Sequence, residues 1–260
     1  MRLFSFFALV FLLPVPGKAA EPGLENFRVE NELTVQQTGE KVKTTTLFVR
    51  GLVYDLIGEQ GETTIYDKGA DTFTLLEPTF RIQTQVKASE LKETVLQLRS
   101  KMRQETQPPF FEFVLFPKFE ETYEEESGLV RFQSPWIVYK IETISLLDDT
   151  FRERYYDFCD WYCFLNLRVN PDSTTLFARM EVNRFLREQK RFPQKIQVDI
   201  HKKGNTGIAG IVENPDVYIG THKPGARLIP GDEKRLQRID EQRKTFRTVS
   251  FEEYRQETSR

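Results

Sequence analysis

Cys159 and Cys163 stand four residues apart in DFCDWYCFL, residues 157–165, and no other cysteine occurs in the 260-residue chain. Such a pair can be a disulfide, half of a metal site, a redox couple, or two small apolar side chains on a buried helix. With His201 and His222, the only histidines, they make four zinc-type ligands. Two ligands one helical turn apart suit zinc, but the spacing of the two histidines and their strand setting match no zinc module. His201 falls on the polar alternate of its strand. A redox pair reads C-x-x-C at a helix N-terminus, where free amides and the dipole lower the thiol pKa. This pair is C-x-x-x-C in mid-helix. A disulfide across one regular helical turn is strained, because Cβ atoms there lie ~5–6 Å apart and a bridge wants ~3.8 Å. Free, metal-free thiols that pack as small apolar groups are therefore expected.

The same helix carries an acidic row, Glu153, Asp157 and Asp160, at spacings of 4 and 3. A general acid/base pair or a cation site fits it, and so does a solvated or arginine-paired face, with Arg154 close by. No Gly-rich phosphate loop, G-x-S-x-G elbow, H-E-x-x-H pair or EF-hand loop occurs. Two histidines leave little room for a triad. No catalytic residue, cofactor or metal ligand is assigned.

The elements that must position these residues are legible from period and turns. In FRVENELTVQ, Phe27, Val29, Leu33 and Val35 share one face of a strand. Further strands follow in VKTTTLFVR, LVYDLI, ETTIYD and TFTLLEPTFRIQTQV, joined by short turns that allow only sequential antiparallel pairing. Leu91, Val95, Leu98 and Met102 are spaced as the stripe of an amphipathic helix that starts near Ser89 and ends at Pro108-Pro109. PFFEFVLFP fits a short helix or a strand equally. FEETYEEESGLVRFQSPWIVYKIETI returns to strands, with Ser127-Gly128 at a hairpin tip and the EEE of 124–126 as solvated charge. Thr150 and Glu153 form a capping box for a helix over 151–168, where Phe151, Tyr155, Phe158, Tyr162 and Leu165 lie 4, 3, 4 and 3 apart. Trp161, Phe164 and Leu167 make it apolar nearly all round, the mark of a buried helix, and Pro171 stops it. A second helix is expected over Thr174–Arg191, ended by Pro193. In KIQVDIHKK, Ile196, Val198 and Ile200 point inward while Gln197, Asp199 and His201 point outward, and GIAGIV and VYIGTH extend the same sheet. A charged helix near Asp232–Lys244 offers Leu236 and Ile239 as anchors. VSFEEY is a capping box, Ser250 to Glu253, with Val249 placed to staple against Tyr254.

The N-terminus reads as a cleaved secretory signal over residues 1–19. Arg2 supplies the positive region, Leu3–Leu13 the apolar core, and Gly17 and Ala19 the small residues before the cut. The apolar run is shorter than the about 20 residues that span a bilayer. Cleavage removes Arg2 and Lys18 and no acid, leaving 35 basic and 39 acidic residues and a net charge of −4. That balance argues against nucleic acid or an anionic membrane surface as the main partner. No later stretch is long and apolar enough to be a transmembrane segment. With 22 Phe, 9 Tyr and 2 Trp, the chain has aromatic area for a core without disulfides. One α+β domain is expected over residues 20–260, with a C-terminal helical tail about 231–260.

A signal peptide followed by TTTLFVRGLVYDLI, ETTIYD and FTLLEPTFRIQTQV, then helices, then more strands, resembles the periplasmic lipoprotein-carrier fold of the LolA, LolB and RseB type. DFCDWYCFLNLRVNP, FARMEVNRFLREQKRFPQKI and FRTVSFEEY also resemble segments of planctomycete-like exported bacterial proteins. The carrier resemblance is one of element order over most of the mature chain. It implies a curved antiparallel half-barrel sheet packed on helices, with the 151–168 helix across its apolar face. Two large helices inserted after residue 150 depart from the simple carrier.

From these readings the expected protein is exported to the periplasm or cell envelope, or secreted. Its expected function is non-enzymatic: carrying or sensing an apolar ligand or a lipoprotein segment, with a lipid, lipoprotein or envelope protein as partner. Phe48, Tyr54, Ile65, Phe73, Leu75 and Ile82 are the expected ligand-facing alternates of the concave sheet face. The rival is a structural or protein-interaction module whose groove is filled by its own helices. An enzyme of unknown class ranks third.

Overall fold

The computed structural model describes residues 26–103, 108–146, 148–170, 174–201 and 215–258. Residues 1–19 and the GIAGIV segment, 207–212, lie outside the described residues. Within the described residues the fold is α+β: one unclosed, almost wholly antiparallel sheet of 12 strands, with 6 helices.

The β-rich first third forms the expected meander: β1 (Asn26–Val35), β2 (Lys41–Val49), β3 (Leu52–Ile57), β4 (Thr63–Asp67), β5 (Thr72–Glu77) and β6 (Ile82–Lys87). Between β2 and β3 the chain reverses in two residues. Arg50 and Gly51 take φ of 47° and 86°, the left-handed pair that matches a hairpin's twist. This turn sets the register, pairing Phe48 with Val53 and Leu47 with Tyr54. Helix α1 (Ala88–Met102) follows, with Leu91 and Val95 buried; the side chains of Leu98 and Met102 lie outside the described residues. The ambiguous aromatic stretch is a helix, α2 (Pro109–Leu115), opened by proline. A second meander, β7 (Glu120–Glu124), β8 (Leu129–Gln133) and β9 (Ile137–Ser145), leads to helices α3 (Asp149–Val169) and α4 (Leu176–Glu188). Then come β10 (Arg191–Ile200), β11 (Asp216–Gly225), helix α5 (Pro230–Thr245), β12 (Arg247–Thr248) and helix α6 (Phe251–Thr258).

The strand order is β12-β6-β5-β4-β3-β2-β1-β11-β10-β9-β8-β7. Strand β1 therefore joins the two meanders, with β2 on one side and β11 on the other. Helix α3 lies against one face of this sheet. Phe151 stacks on Phe27, which stacks on Phe48, with centroids 3.9 and 4.1 Å apart. Phe158 meets Phe48 edge-on at 6.0 Å. Tyr66 and Phe73 stack at 4.7 Å under Phe158 and Trp161. Each such burial contributes roughly 1.5–3 kcal/mol, which explains why a helix with so many aromatic residues settles here. Between Phe151 and Leu167 only Glu153 is exposed, as the all-round apolar pattern predicts.

Helix α5 covers the opposite face. Its anchors Leu236 and Ile239 join a second core with Leu47, Tyr54, Leu56, Ile65 and Leu76. The chain then rounds the sheet edge. Two-residue β12 runs parallel to β6, and the Gln83 amide donates to the Arg243 and Phe246 carbonyls at 2.9 and 3.1 Å. Helix α6 returns to the α3 face, where Val249, Phe251 and Tyr254 enter the main core. Its cap is the expected one, the Glu253 amide donating to the Ser250 hydroxyl at 3.1 Å.

Two boundaries differ from the sequence reading. Helix α3 is capped by Asp148, whose carboxylate accepts from the Phe151 amide at 2.7 Å. Thr150 lies inside the first turn and is not the N-cap. A carboxylate at the positive helix end is a stronger acceptor than a hydroxyl. Pro193 does not terminate α4. It sits within β10, opposite Thr143, where the register with β9 shifts between Pro193 and Lys195. A bulge is one of the few strand sites that tolerates a proline.

Candidate functional site

On the α3 face, the sheet is left open towards the C-terminal ends of β1 and β10 and the start of β11. A groove of about 670 Å³ runs there between the sheet and helices α2, α3 and α4. Strand alternation builds its floor. The pairs Tyr139–Val198, Val198–Tyr218, Ile200–Asp216 and Leu33–Gly220 put Leu33, Tyr139, Val198, Ile200, Asp216 and Tyr218 on one side of β1, β9, β10 and β11. Phe110 of α2, Asn166 of α3, and Thr174, Thr175 and Arg179 at the start of α4 complete the lining. Leu33 is 43 % exposed. Phe110 packs edge-on against Trp136 at 5.2 Å, which fixes α2 at the rim.

Arg179 is the one cation lining this groove. Burial is the largest influence on it, and its charge lies within electrostatic range of the Tyr139 and Tyr155 hydroxyls and the Cys159 and Cys163 thiols. Burial raises all four of those groups above their ordinary pKa, Cys159 to about 11 and Cys163 to about 12. At neutral pH they are uncharged, and neither thiol is an activated nucleophile. The cysteines are free, half-buried, and packed against the main core. Among the described residues no group of three or more His, Cys, Asp or Glu could hold a metal ion.

A polar seam crosses the same face where the groove meets the sealed half. His222 Nδ1 lies 2.8 Å from Asn31 Oδ1. The Asn31 amide donates to the Thr44 and Thr46 hydroxyls at 3.1 and 3.0 Å. Thr46 in turn donates to Asp55 Oδ1 at 2.7 Å. Burial, and then the Arg179 charge, pull His222 down to about 3, so its imidazole is neutral and donates from Nδ1. Burial pushes Asp55 up to about 6, against the Thr46 hydrogen bond that favours its ionised form. The seam is thus a row of donors leading to one costly carboxylate.

The acidic row is engaged elsewhere. Asp157 pairs with Lys68 at 3.0 Å. Asp160 accepts from Asn183 and Arg187 at 2.9 and 3.1 Å, and Glu153 lies 3.7 Å from Arg187. These are α3–α4 and α3–sheet struts. Arg154 instead lies over Phe27 and Phe48, 5.1 and 5.7 Å from their centroids. A larger cleft of about 830 Å³ on the α5 face is lined by polar and charged residues, among them the pairs Arg28–Glu30, Lys43–Glu32 and Arg235–Glu59. Its lining includes the fully buried Asp232, 3.4 Å from Arg28 and 3.7 Å from Arg235, which also accepts from the Ile229 amide at 3.0 Å. That arrangement pins the start of α5 to β1.

The six residues expected to line a ligand face do not share one. Phe48, Phe73, Leu75 and Ile82 lie in the main core under the helices of the α3 face, while Tyr54 and Ile65 lie under α5. The two-residue turn at Arg50–Gly51 is the reason. It pairs Tyr54 with Leu47 rather than with Phe48, and a shift of one residue reverses the face. All six are at most 6 % exposed, and none borders the groove. Part of the groove's lining was legible, since Val198 and Ile200 were read as inward. Nothing local marks Arg179 among the charged residues of α4.

No protein-family model and no curated protein matches the chain.

Proposed function

We propose that the chain is an exported, non-enzymatic protein of the cell envelope that carries or senses an apolar ligand or the lipid-bearing segment of a lipoprotein. The reading rests above all on the groove of about 670 Å³ with apolar walls at Leu33, Phe110, Val198 and Ile200, a size and lining suited to a small hydrophobic molecule. Two further points support it. The order of elements resembles the LolA-type carriers, in which a half-barrel sheet holds the ligand against helices. The buried cysteines are protonated and the acidic row is tied up in ion pairs, so neither of these clusters is arranged for catalysis.

The test is titration with the uncharged fluorescent probe N-phenyl-1-naphthylamine, on the wild type and on Val198→Trp, whose indole would fill the groove. Saturable binding by the wild type and at least about tenfold weaker binding by the variant, with unchanged circular dichroism, is the expected result. No binding by the wild type would overturn the carrier reading. The second reading, a structural or protein-interaction module, draws on the sealed half, where α3 itself occupies the sheet face through Phe151 and Phe158. It takes over if the groove binds no probe and native mass spectrometry of the purified protein finds no co-purified lipid.

A further inference from the structure

We infer that the groove is selective for amphiphiles that end in a carboxylate, and that Arg179 receives the carboxylate. This rests on the groove being the binding site.

The argument starts from charge. Several arginines of and beside the helical layer have an ion pair or a side-chain hydrogen bond within the protein. Arg152 donates to the Leu146 carbonyl and pairs with Asp149, and Arg184 pairs with Glu181 and Glu188. Arg187 pairs with Asp160, and Arg191 at the start of β10 donates to Thr143 and Ser145. Arg179 differs. It lines the groove, and among the described residues its guanidinium has neither an ion pair nor a hydrogen bond. The groups within its electrostatic range are neutral hydroxyls and thiols, neutral His222, and the Asp160 carboxylate, which Asn183 and Arg187 already hold. A cation withdrawn from water with no counter-charge in direct contact is costly, and the cost is recovered when an anion enters beside it. The planar guanidinium matches a carboxylate in a two-point contact, and the apolar floor beyond it takes the ligand's hydrocarbon.

The groove also sets the charge of its guest. Neutral His222 adds no second cation near Arg179. Asp216, on the groove wall, has an interaction of its own and contributes negative charge. One cation and one acid disfavour a dianion such as a phosphate monoester, and a monoanion is the better fit.

The test compares cis-parinaric acid with its methyl ester by fluorescence titration at pH 7.5, on the wild type, Arg179→Met and Arg179→Lys. The wild type should bind the acid about tenfold or more tightly than the ester. Arg179→Met should lose that preference while binding the ester within about twofold of the wild type, and Arg179→Lys should keep part of it. Equal affinity of the wild type for acid and ester would overturn the inference while leaving the groove reading standing. Binding of neither overturns both. The acid-to-ester ratio of the wild type decides the matter even if a variant fails to fold. An Arg179→Met protein that folds and keeps the acid preference places the contact elsewhere and also overturns it.

Discussion

The two halves of the α3 face are made alike and end differently. In both, antiparallel strands present apolar or aromatic alternates to a helical layer. Over β1–β6, helix α3 delivers Phe151 and Phe158 onto Phe27 and Phe48, and the face closes into stacked rings. Over β9–β11, Ile141, Phe192 and Ile196 are buried as well, but towards one end of these strands Val198, Ile200 and Tyr218 line a groove with Arg179 on its helical side. The same strand pattern thus serves as core or as the floor of a groove, according to what the covering helix presents. Rings seal the first half, whereas the open part of the second holds a guanidinium with no ion pair among the described residues.

The largest expected effect comes from breaking the closed half. Phe27 is fully buried between two stacked rings. Phe27→Ala should destabilise the protein by about 3–5 kcal/mol in denaturant titration. A cost below about 1 kcal/mol would mean that this half is not the sealed core described here.

The next effect lies at the border between the halves. Asp55 has a folded pKa of about 6 against an ordinary 3.8. Because the folded value is raised, the folded state holds the proton more tightly, and stability falls as pH rises from about 4 through 6. Asp55→Asn keeps the acceptor for Thr46 and removes the charge. It should be more stable than wild type by about 3 kcal/mol at pH 7.5, with the gain vanishing near pH 4. His222 has the opposite sign. Its folded value is lowered, so its contribution is full above pH 6.5 and is lost as pH falls towards 3. The wild type should therefore show a flattened stability profile between pH 4 and 6, and Asp55→Asn a profile that falls steadily with acid. Equal gains for the variant at pH 4 and 7.5 would contradict the assignment of Asp55.

Smaller effects sharpen the comparison from each side. Asp148→Ala removes the cap of α3 and should cost about 1 kcal/mol in thermal or chemical unfolding, with Thr150→Ala costing less. The reverse order would return the cap to Thr150. Leu33→Ser, at the open end of β1, should change stability by no more than about 0.5 kcal/mol. It should weaken hydrophobic-probe binding measurably, which a residue of the sealed half cannot do without unfolding.

The sequence by itself determined which side chains share a strand face, where the aromatic helix lies, and that Leu236 and Ile239 anchor a charged one. Those are local properties, set by a period of two or of 3.6 and by turn residues. The face assignment failed across the β2–β3 turn, since parity there depends on a two-residue loop with positive φ at Arg50 as well as Gly51. The cap of α3 and the strand setting of Pro193 were missed because neighbouring residues offered a second acceptable pattern. Tertiary structure alone decided that β1 pairs with β11, so that Asn31 meets His222 across 191 positions of chain. It alone left the groove beside β10 and β11 open and Arg179 without an ion pair among the described residues. Periodicity states which side chains point the same way, but what covers them depends on contacts between distant segments.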